Sequence, residues 1–447
     1  KSFLKNLNRF ISFSNLQKMI IVDNALNKRE KENNPIKVGL IGAGEMSKGM
    51  MNQIVKYTPG MVVAATYNRT VEKAQAAYEY VGMKDYSIAK TTAELEEAIK
   101  KGKPAITNNI EALCQADGMD IIVEVTGTIE FAANAMLKAM EHGKHILSFN
   151  AEIDATLGPI LKKKADDAGV MYSVGDGDQP GVTLNLYRFV KSMGFEPLLC
   201  GNIKGLQDHY RTPETQKSFA AQWDMTPEMV TSFADGTKIS FEQACIANAT
   251  GMKVATRGMY GHHSKEHIDD LMHLYDIEEL KSLGGIVDYV VGPKPGPGVF
   301  IYATTEDPWS KKYLKYGKLG EGPLYSFYTP YHLLFFEIAN SIARMVDFQD
   351  IILAPKAGPV VEVVATAKFD LKAGEIIDGL GGFKSYGVCE NYDTARKENL
   401  LPMGLAEGCK LKRDLSQDQV ITYDDVEFDP NLTKHQLYKE QLSLFPA

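Results

Sequence analysis

Paired cysteines are missing from this chain. Five cysteines in 447 residues, Cys114, Cys200, Cys245, Cys389 and Cys409, stand singly with no CxxC spacing, which argues against a disulfide framework and a cysteine-based zinc site. No apolar run approaches the length of a membrane span, so a soluble chain without a membrane partner is expected, and the cysteine usage fits a reducing cytoplasm. Positive charge is not in excess: 49 basic residues face 57 acidic ones, a formal net charge of −8, and no basic stripe offers a footprint for nucleic acid. The first 34 residues carry seven Lys or Arg against three acids but neither the continuous apolar core nor the small-residue cleavage site of a secretory signal, and Met19 is a candidate start.

What is present begins at Pro35. The run Ile36-Lys37-Val38-Gly39-Leu40-Ile41 breaks into Gly42-Ala43-Gly44 and then a helical pattern, which predicts strand, tight turn and helix. Gly42 gives the turn its backbone freedom, and Gly44 lets the main chain approach a pyrophosphate at the helix N-terminus, where free N–H groups and the dipole favour an anion. Glu45 and Met46 open that helix, and Ser47 replaces the third glycine of a dinucleotide fingerprint. The second strand, Val62–Tyr67, ends on Asn68-Arg69-Thr70 rather than on a carboxylate. Asn68 and Thr70 can donate hydrogen bonds and Arg69 can fork onto a 2′-phosphate, so NADP is expected over NAD. Thr126, Gly127 and Asn150, at the carboxyl ends of later strands, are expected to line the cofactor crevice.

Apolar runs at Val38–Ile41, Val62–Tyr67, Ile121–Val125 and His145–Phe149 alternate with helical stretches at Val71–Tyr80, Thr92–Lys100 and Ile129–His142. The expected fold is therefore α/β, with an N-terminal extension at 1–34 and a Rossmann dinucleotide-binding domain over 35–150. A central α+β substrate and dimerisation domain follows over 151–347, ending in a Pro-initiated helix from Tyr328 to Arg344 that could return to the first domain. A small β-rich domain over 354–430 is read from Val360–Ala365, Gly404–Cys409 and Gln419–Tyr423.

Lys204 follows the apolar run Pro197–Cys200 and a predicted Gly201-Asn202 turn, from which its ammonium could meet the negative charge that hydride transfer builds on a carbonyl oxygen. Asp208 could orient Lys204 or cap a turn. Glu152, beyond Asn150, is a further acid/base candidate, or a first-turn carboxylate on a helix dipole. Arg211, His209 and the intervening Tyr210 suit a substrate phosphate or carboxylate. Asp176 and Asp178 on a Gly-rich turn are candidate ligands for Mg²⁺ or Mn²⁺, with an ordinary turn as the alternative. His263 and His267 have helical spacing, but a solvated polar segment is the better reading than a zinc pair.

Gly39–Gly44, Val123–Gly127, Asn150-Ala151-Glu152, Gly175–Gly181 and Gly201–Gly205 resemble the homoserine-dehydrogenase-like reductases. Asp208–Thr215, Gly322–Tyr325 and Pro330–Leu333 are similar to the branch with a C-terminal SAF domain, which includes the deoxyxylulose-5-phosphate reductoisomerase-like enzymes of isoprenoid biosynthesis. The resemblance spans about 20–430 and implies an NADPH-dependent reductase of a small, phosphorylated keto-sugar or aldehyde, acting as a homodimer or higher oligomer, with a SAF-like domain over 354–430. Its alternatives are a homoserine-type semialdehyde reductase and a non-enzymatic dinucleotide or carbohydrate sensor. His209 departs from the proline of the related branch.

Overall fold

Seven parallel strands form the first sheet of the computed structural model, which describes residues 21–446. They are β1 (Ile36–Ile41), β2 (Met61–Tyr67), β3 (Ser87–Ile88), β4 (Ala105–Thr107), β5 (Ile121–Glu124), β6 (His145–Ser148) and β7 (Tyr172–Val174), in the order β3-β4-β2-β1-β5-β6-β7. All-parallel strands need helices on both faces, and alternate residues show it: Ile122 packs in one core, Ile121 and Val123 in the core on the opposite face. The α/β expectation and its Rossmann sheet are observed. The short strands β3, β4 and β7 carried too little pattern to be anticipated.

Residues 21–31 showed no strong apolar pattern, yet Ile21–Lys31 is a helix that buries Val22 and Leu26 in the core beneath β1. Arg29 anchors it to Asp347 at 2.6 Å. The expected start at Met19 lies outside the described residues.

A second, five-stranded sheet follows: β8 (Glu196–Lys204), β9 (His262–His263), β10 (Ile286–Val291), β11 (Gly298–Thr304) and β12 (Tyr325–Thr329), ordered β12-β11-β8-β10-β9. Two expectations are corrected here. Gly201-Asn202 is not a turn but the middle of β8, where a Cβ at Gly201 would stand 2.2 Å from the Phe300 ring; the glycine is there to let that ring lie on the strand. The segment from Tyr328 is not a Pro330-initiated helix: Tyr328 and Thr329 end β12, and the helix proper is Ile338–Phe348, packed in the core with Val38 and Met50. It does return to the first sheet, as expected.

Beyond Ala354, β13 (Val361–Ala367) and β14 (Ser385–Asn391) pair antiparallel, and Lys372–Glu375 forms a turn. Met403–Ala406 is a short buried helix where a strand was expected.

Candidate functional site

The cofactor half of the site is built by the turn after β1. Gly42 has φ +115°, a conformation that excludes side chains, and its added Cβ would meet Val125 at 3.3 Å. Gly44 begins the helix Glu45–Tyr57 with no side-chain cap, and nothing lies within 4 Å of where its Cβ would stand. Open space in front of uncapped helix N–H groups fits a dinucleotide pyrophosphate. The buried Ser47 hydroxyl donates to the Gly42 carbonyl at 2.8 Å, so the residue replacing the third glycine ties the helix to the turn. Glu45 is held by Lys48 at 2.5 Å.

After β2, the Asn68 amide donates to the Thr70 carbonyl at 2.7 Å, which shapes the turn. Arg69 and Thr70 are exposed beside it, and among the described residues no carboxylate is ion-paired with Arg69. Asn150 is corrected from cofactor contact to helix cap. It is fully buried, accepts from Ile153 N–H at 3.1 Å and donates to the Thr128 carbonyl at 2.9 Å, which places the amide in the helix cap and away from solvent.

Glu124 closes β5 fully buried, and its partner is Thr126, whose N–H donates to Oε1 at 2.6 Å and whose hydroxyl donates to the same oxygen. Oε2 has no partner. Burial pushes the carboxyl up to about 7, with the Thr126 bonds opposing. A carboxyl whose folded pKa lies above its unfolded value costs stability progressively from the unfolded pKa upward, and fully above the folded one. Glu124→Gln, which keeps an acceptor for Thr126, is therefore expected to raise stability at pH 8 by about 3 kcal/mol and to change it little at pH 4. Urea unfolding at the two pH values checks this; equal shifts at both would contradict it.

The chemical half gathers charges from several elements. Lys204, the last residue of β8, is half-buried and donates to the Phe233 carbonyl at 3.1 Å. Burial holds its ammonium below the usual lysine range; Glu242 and Asp235 oppose the shift and Lys238 adds to it. Lys238, in the first turn of the helix Thr237–Thr250, bridges to Glu152 at 3.1 Å. Burial alone would lower the Lys238 ammonium, but the carboxylates of Glu152, Asp178 and Glu242 outweigh it and hold it above the ordinary value. Glu242, one turn on, is pushed up to about 8 by burial, against the pull of Lys238. Asp178 caps the helix Gln179–Ser192 through Gln179 N–H at 2.9 Å. His332 completes the group: burial lowers its pKa, Asp178 opposes, and Lys204 and Lys238 reinforce. The set mixes a lysine primed to release a proton, a carboxyl primed to keep one, and fixed charges around them.

Of the predicted acid/base residues, Lys204 and Glu152 come together through Lys238. Asp208 does not join them: its carboxylate accepts from Tyr210 N–H at 3.1 Å and from Arg211 Nε at 3.0 Å, the turn-capping alternative. Arg211 is thereby ion-paired within its own loop. His209 bonds the Asp235 carbonyl through Nδ1 at 2.7 Å and stacks on Tyr386, and Tyr210 donates to Asp418 at 2.7 Å, so these side chains brace the loop. Asp176 is corrected from metal ligand to buried anchor. It takes Arg344 at 2.8 Å, Asn185 at 2.6 Å and Ser341 at 3.0 Å, while Asp178 faces Lys238; among the described residues no group of three His, Cys, Asp or Glu is placed to hold a metal. The pair does not fit Mg²⁺ or Mn²⁺. Sequence reasoning missed Lys238, Glu242 and His332. The signal was there for two of them, since Lys238 and Glu242 are charges spaced i, i+4 in a helix that is otherwise almost wholly buried.

Residues 42–174 match the family model described as the NAD-binding domain of homoserine dehydrogenase, and residues 177–338 match that of the catalytic domain of oxidoreductase DRL. Both matched models describe oxidoreductase domains. The matches hold Gly42, Thr126 and Glu152 in the first, and Asp178, Lys204, Lys238, Glu242 and His332 in the second. The chain is 37% identical over 75 residues to a homoserine dehydrogenase of Mycobacterium leprae, covering 16% of this chain and 17% of that one. It is 30% identical over 138 residues to one of Methylobacillus glycogenes, covering 30% of each. The aligned parts thus span less than a third of these relatives. Among solved structures, scyllo-inositol dehydrogenase from Lactobacillus casei aligns with 14% identity and TM-score 0.32 over 61% of this chain and 67% of that one. No helix among the described residues is long and apolar enough to cross a membrane.

Proposed function

We propose that the protein is an NADPH-dependent oxidoreductase that reduces the carbonyl of a small, phosphorylated keto-sugar or aldehyde, with Lys204 as proton donor. The observation that carries the reading is the half-buried Lys204 ammonium, depressed by burial, in one charged cluster with Glu152 of the dinucleotide-binding part. When bound, NADPH supplies the hydride. Lys204 gives the carbonyl oxygen its proton as negative charge develops there, Lys238 holds Glu152 and lends positive potential, and protonated Glu242 keeps the pocket from accumulating negative charge. Gly42, Gly44, Arg69, Thr126 and Gly127 would hold the cofactor. With the DRL-type catalytic match, the substrate favoured is deoxyxylulose phosphate, rearranged to an aldehyde and reduced to methylerythritol phosphate. A homoserine-type semialdehyde is the second reading, supported by the homoserine dehydrogenase matches, which lie in the dinucleotide-binding part. A second copy of this chain is the proposed partner, and the cytoplasm its proposed location.

NADPH oxidation over a panel of phosphosugars and semialdehydes tests the reading; binding without turnover on any would point instead to a sensor. NADPH is expected to bind at least about tenfold tighter than NADH, about 1.4 kcal/mol, because Arg69 meets a 2′-phosphate with no competing carboxylate. Arg69→Asp should reverse the preference. Titrations giving equal affinities would sink this assignment.

A further inference from the structure

Lys368, just beyond β13, is completely buried. Its ammonium donates to Asp235 Oδ2 at 2.9 Å and to the carbonyls of Arg211 and Gly382 at 2.8 Å each, which uses all three of its protons. Asp235 is equally buried, and its other oxygen accepts from Thr237 N–H at 2.9 Å, at the start of the helix whose next residue is Lys238. The Asp235 carbonyl holds His209, and His209 stacks at 4.4 Å on Tyr386 of β14. Tyr386 and Tyr210 converge on Asp418 at 2.9 and 2.7 Å. Phe233, whose carbonyl accepts the hydrogen bond from the Lys204 ammonium, lies two residues before Asp235.

Four of these contacts, Lys368 to Asp235, Lys368 to the Arg211 carbonyl, Tyr210 to Asp418 and the His209–Tyr386 stack, join the β-rich C-terminal segment to the backbone that presents Lys204 and Lys238. A buried ion pair adds little stability over a well-packed apolar pair, so stability alone is a poor reason for three acceptors converging on one buried ammonium here. Orientation is the better one. We propose that Lys368 is a positioning residue: acting through Asp235 and the Arg211 carbonyl, it fixes the 205–212 loop and the start of the Thr237–Thr250 helix, which makes the C-terminal segment a working part of the active site. The effect on turnover rests on the function proposed above; the effect on Lys204 itself does not.

The test is Lys368→Met in the full chain, with three readouts. The first is the rate of acetylation of Lys204 by acetic anhydride as a function of pH, followed by peptide mass spectrometry. The others are NADPH affinity and turnover on the carbonyl panel. Lys204 is expected to label faster and with a displaced pH midpoint, because the Phe233 carbonyl no longer sits where it accepts the ammonium. Turnover should fall about 10²-fold, the scale of an ångström misplacement remote from the chemistry, while NADPH affinity holds. If the stranded Asp235 charge prevents folding, Lys368→Met with Asp235→Asn removes that charge, keeps an acceptor for Thr237 and is read the same way. A folded variant that melts earlier but labels Lys204 as the wild type does would overturn the positioning role. A wild type that turns over no carbonyl would refute the proposed reaction, and the labelling would still decide the role of Lys368.

Discussion

Lys204→Met is expected to lower turnover by roughly 10²–10³-fold, the usual cost of losing one preorganised donor at a developing oxyanion. NADPH affinity should hardly move, because the cofactor's candidate contacts, Gly42 to Thr126, lie on the first sheet and Lys204 on the second. Lys204→Arg should not restore activity, since a planar guanidinium cannot take the place of a compact point charge against the Phe233 carbonyl. In the wild type, carbonyl reduction should decline as pH rises through the Lys204 pKa, because only the ammonium can donate. Burial places that decline below the ordinary lysine range. Steady-state NADPH oxidation against pH measures both effects. A methionine variant with near-normal turnover would remove Lys204 from the chemistry and turn attention to Glu242.

The dinucleotide half of the molecule was legible because its signals are local. Thr92–Lys100 has the expected bounds, and β2 and β5 fall within one residue of theirs, since strand, glycine turn and amphipathic helix each sit in a dozen contiguous residues. The catalytic half was legible only as isolated residues. Lys204 stood out as a lysine at a strand end, but what depresses its pKa is burial, with the Lys238 charge adding and Glu242 and Asp235 opposing, and no spacing around Lys204 reveals these. The Lys238–Glu152 bridge joins residues 86 apart in sequence, and Asp176–Arg344 joins residues 168 apart. Asp176 and Asp178 looked alike in a Gly-rich turn, and only the fold gives one to Arg344 and sets the other facing Lys238. Asn150 was misread for a related reason: a polar residue at a strand's carboxyl end can line a crevice or cap the next helix, and the choice depends on where the Thr128 carbonyl lies.

Lys238→Met should show how far the site depends on one cation. Lys238 is the positive charge that Glu152, Asp178 and Glu242 share, and it and Glu152 are largely shielded from water, with side-chain exposures of 16% and 14%. Removing it leaves buried carboxylates uncompensated, a change that costs about 3–5 kcal/mol when one partner of a buried pair is lost. The loss must depend on pH. Without Lys238 the folded-state pKa of Glu242 rises from its present value of about 8, and a raised carboxyl pKa subtracts stability increasingly as pH climbs above the unfolded value. The deficit should therefore be smaller near pH 4, where a protonated Glu242 needs no counter-charge, and largest at pH 8. Adding Glu152→Gln should recover part of it at pH 8, since the amide keeps the shape and removes the charge. At the same time Lys204 loses a like charge that helps depress its pKa, so the alkaline decline of any remaining activity should move to higher pH. Guanidinium unfolding at pH 4 and 8, with the pH profile of turnover, reads all three effects. A variant as stable as the wild type at pH 8 would mean that water reaches the cluster and screens it, and the account of Lys204 as a proton donor tuned by burial would fail with it.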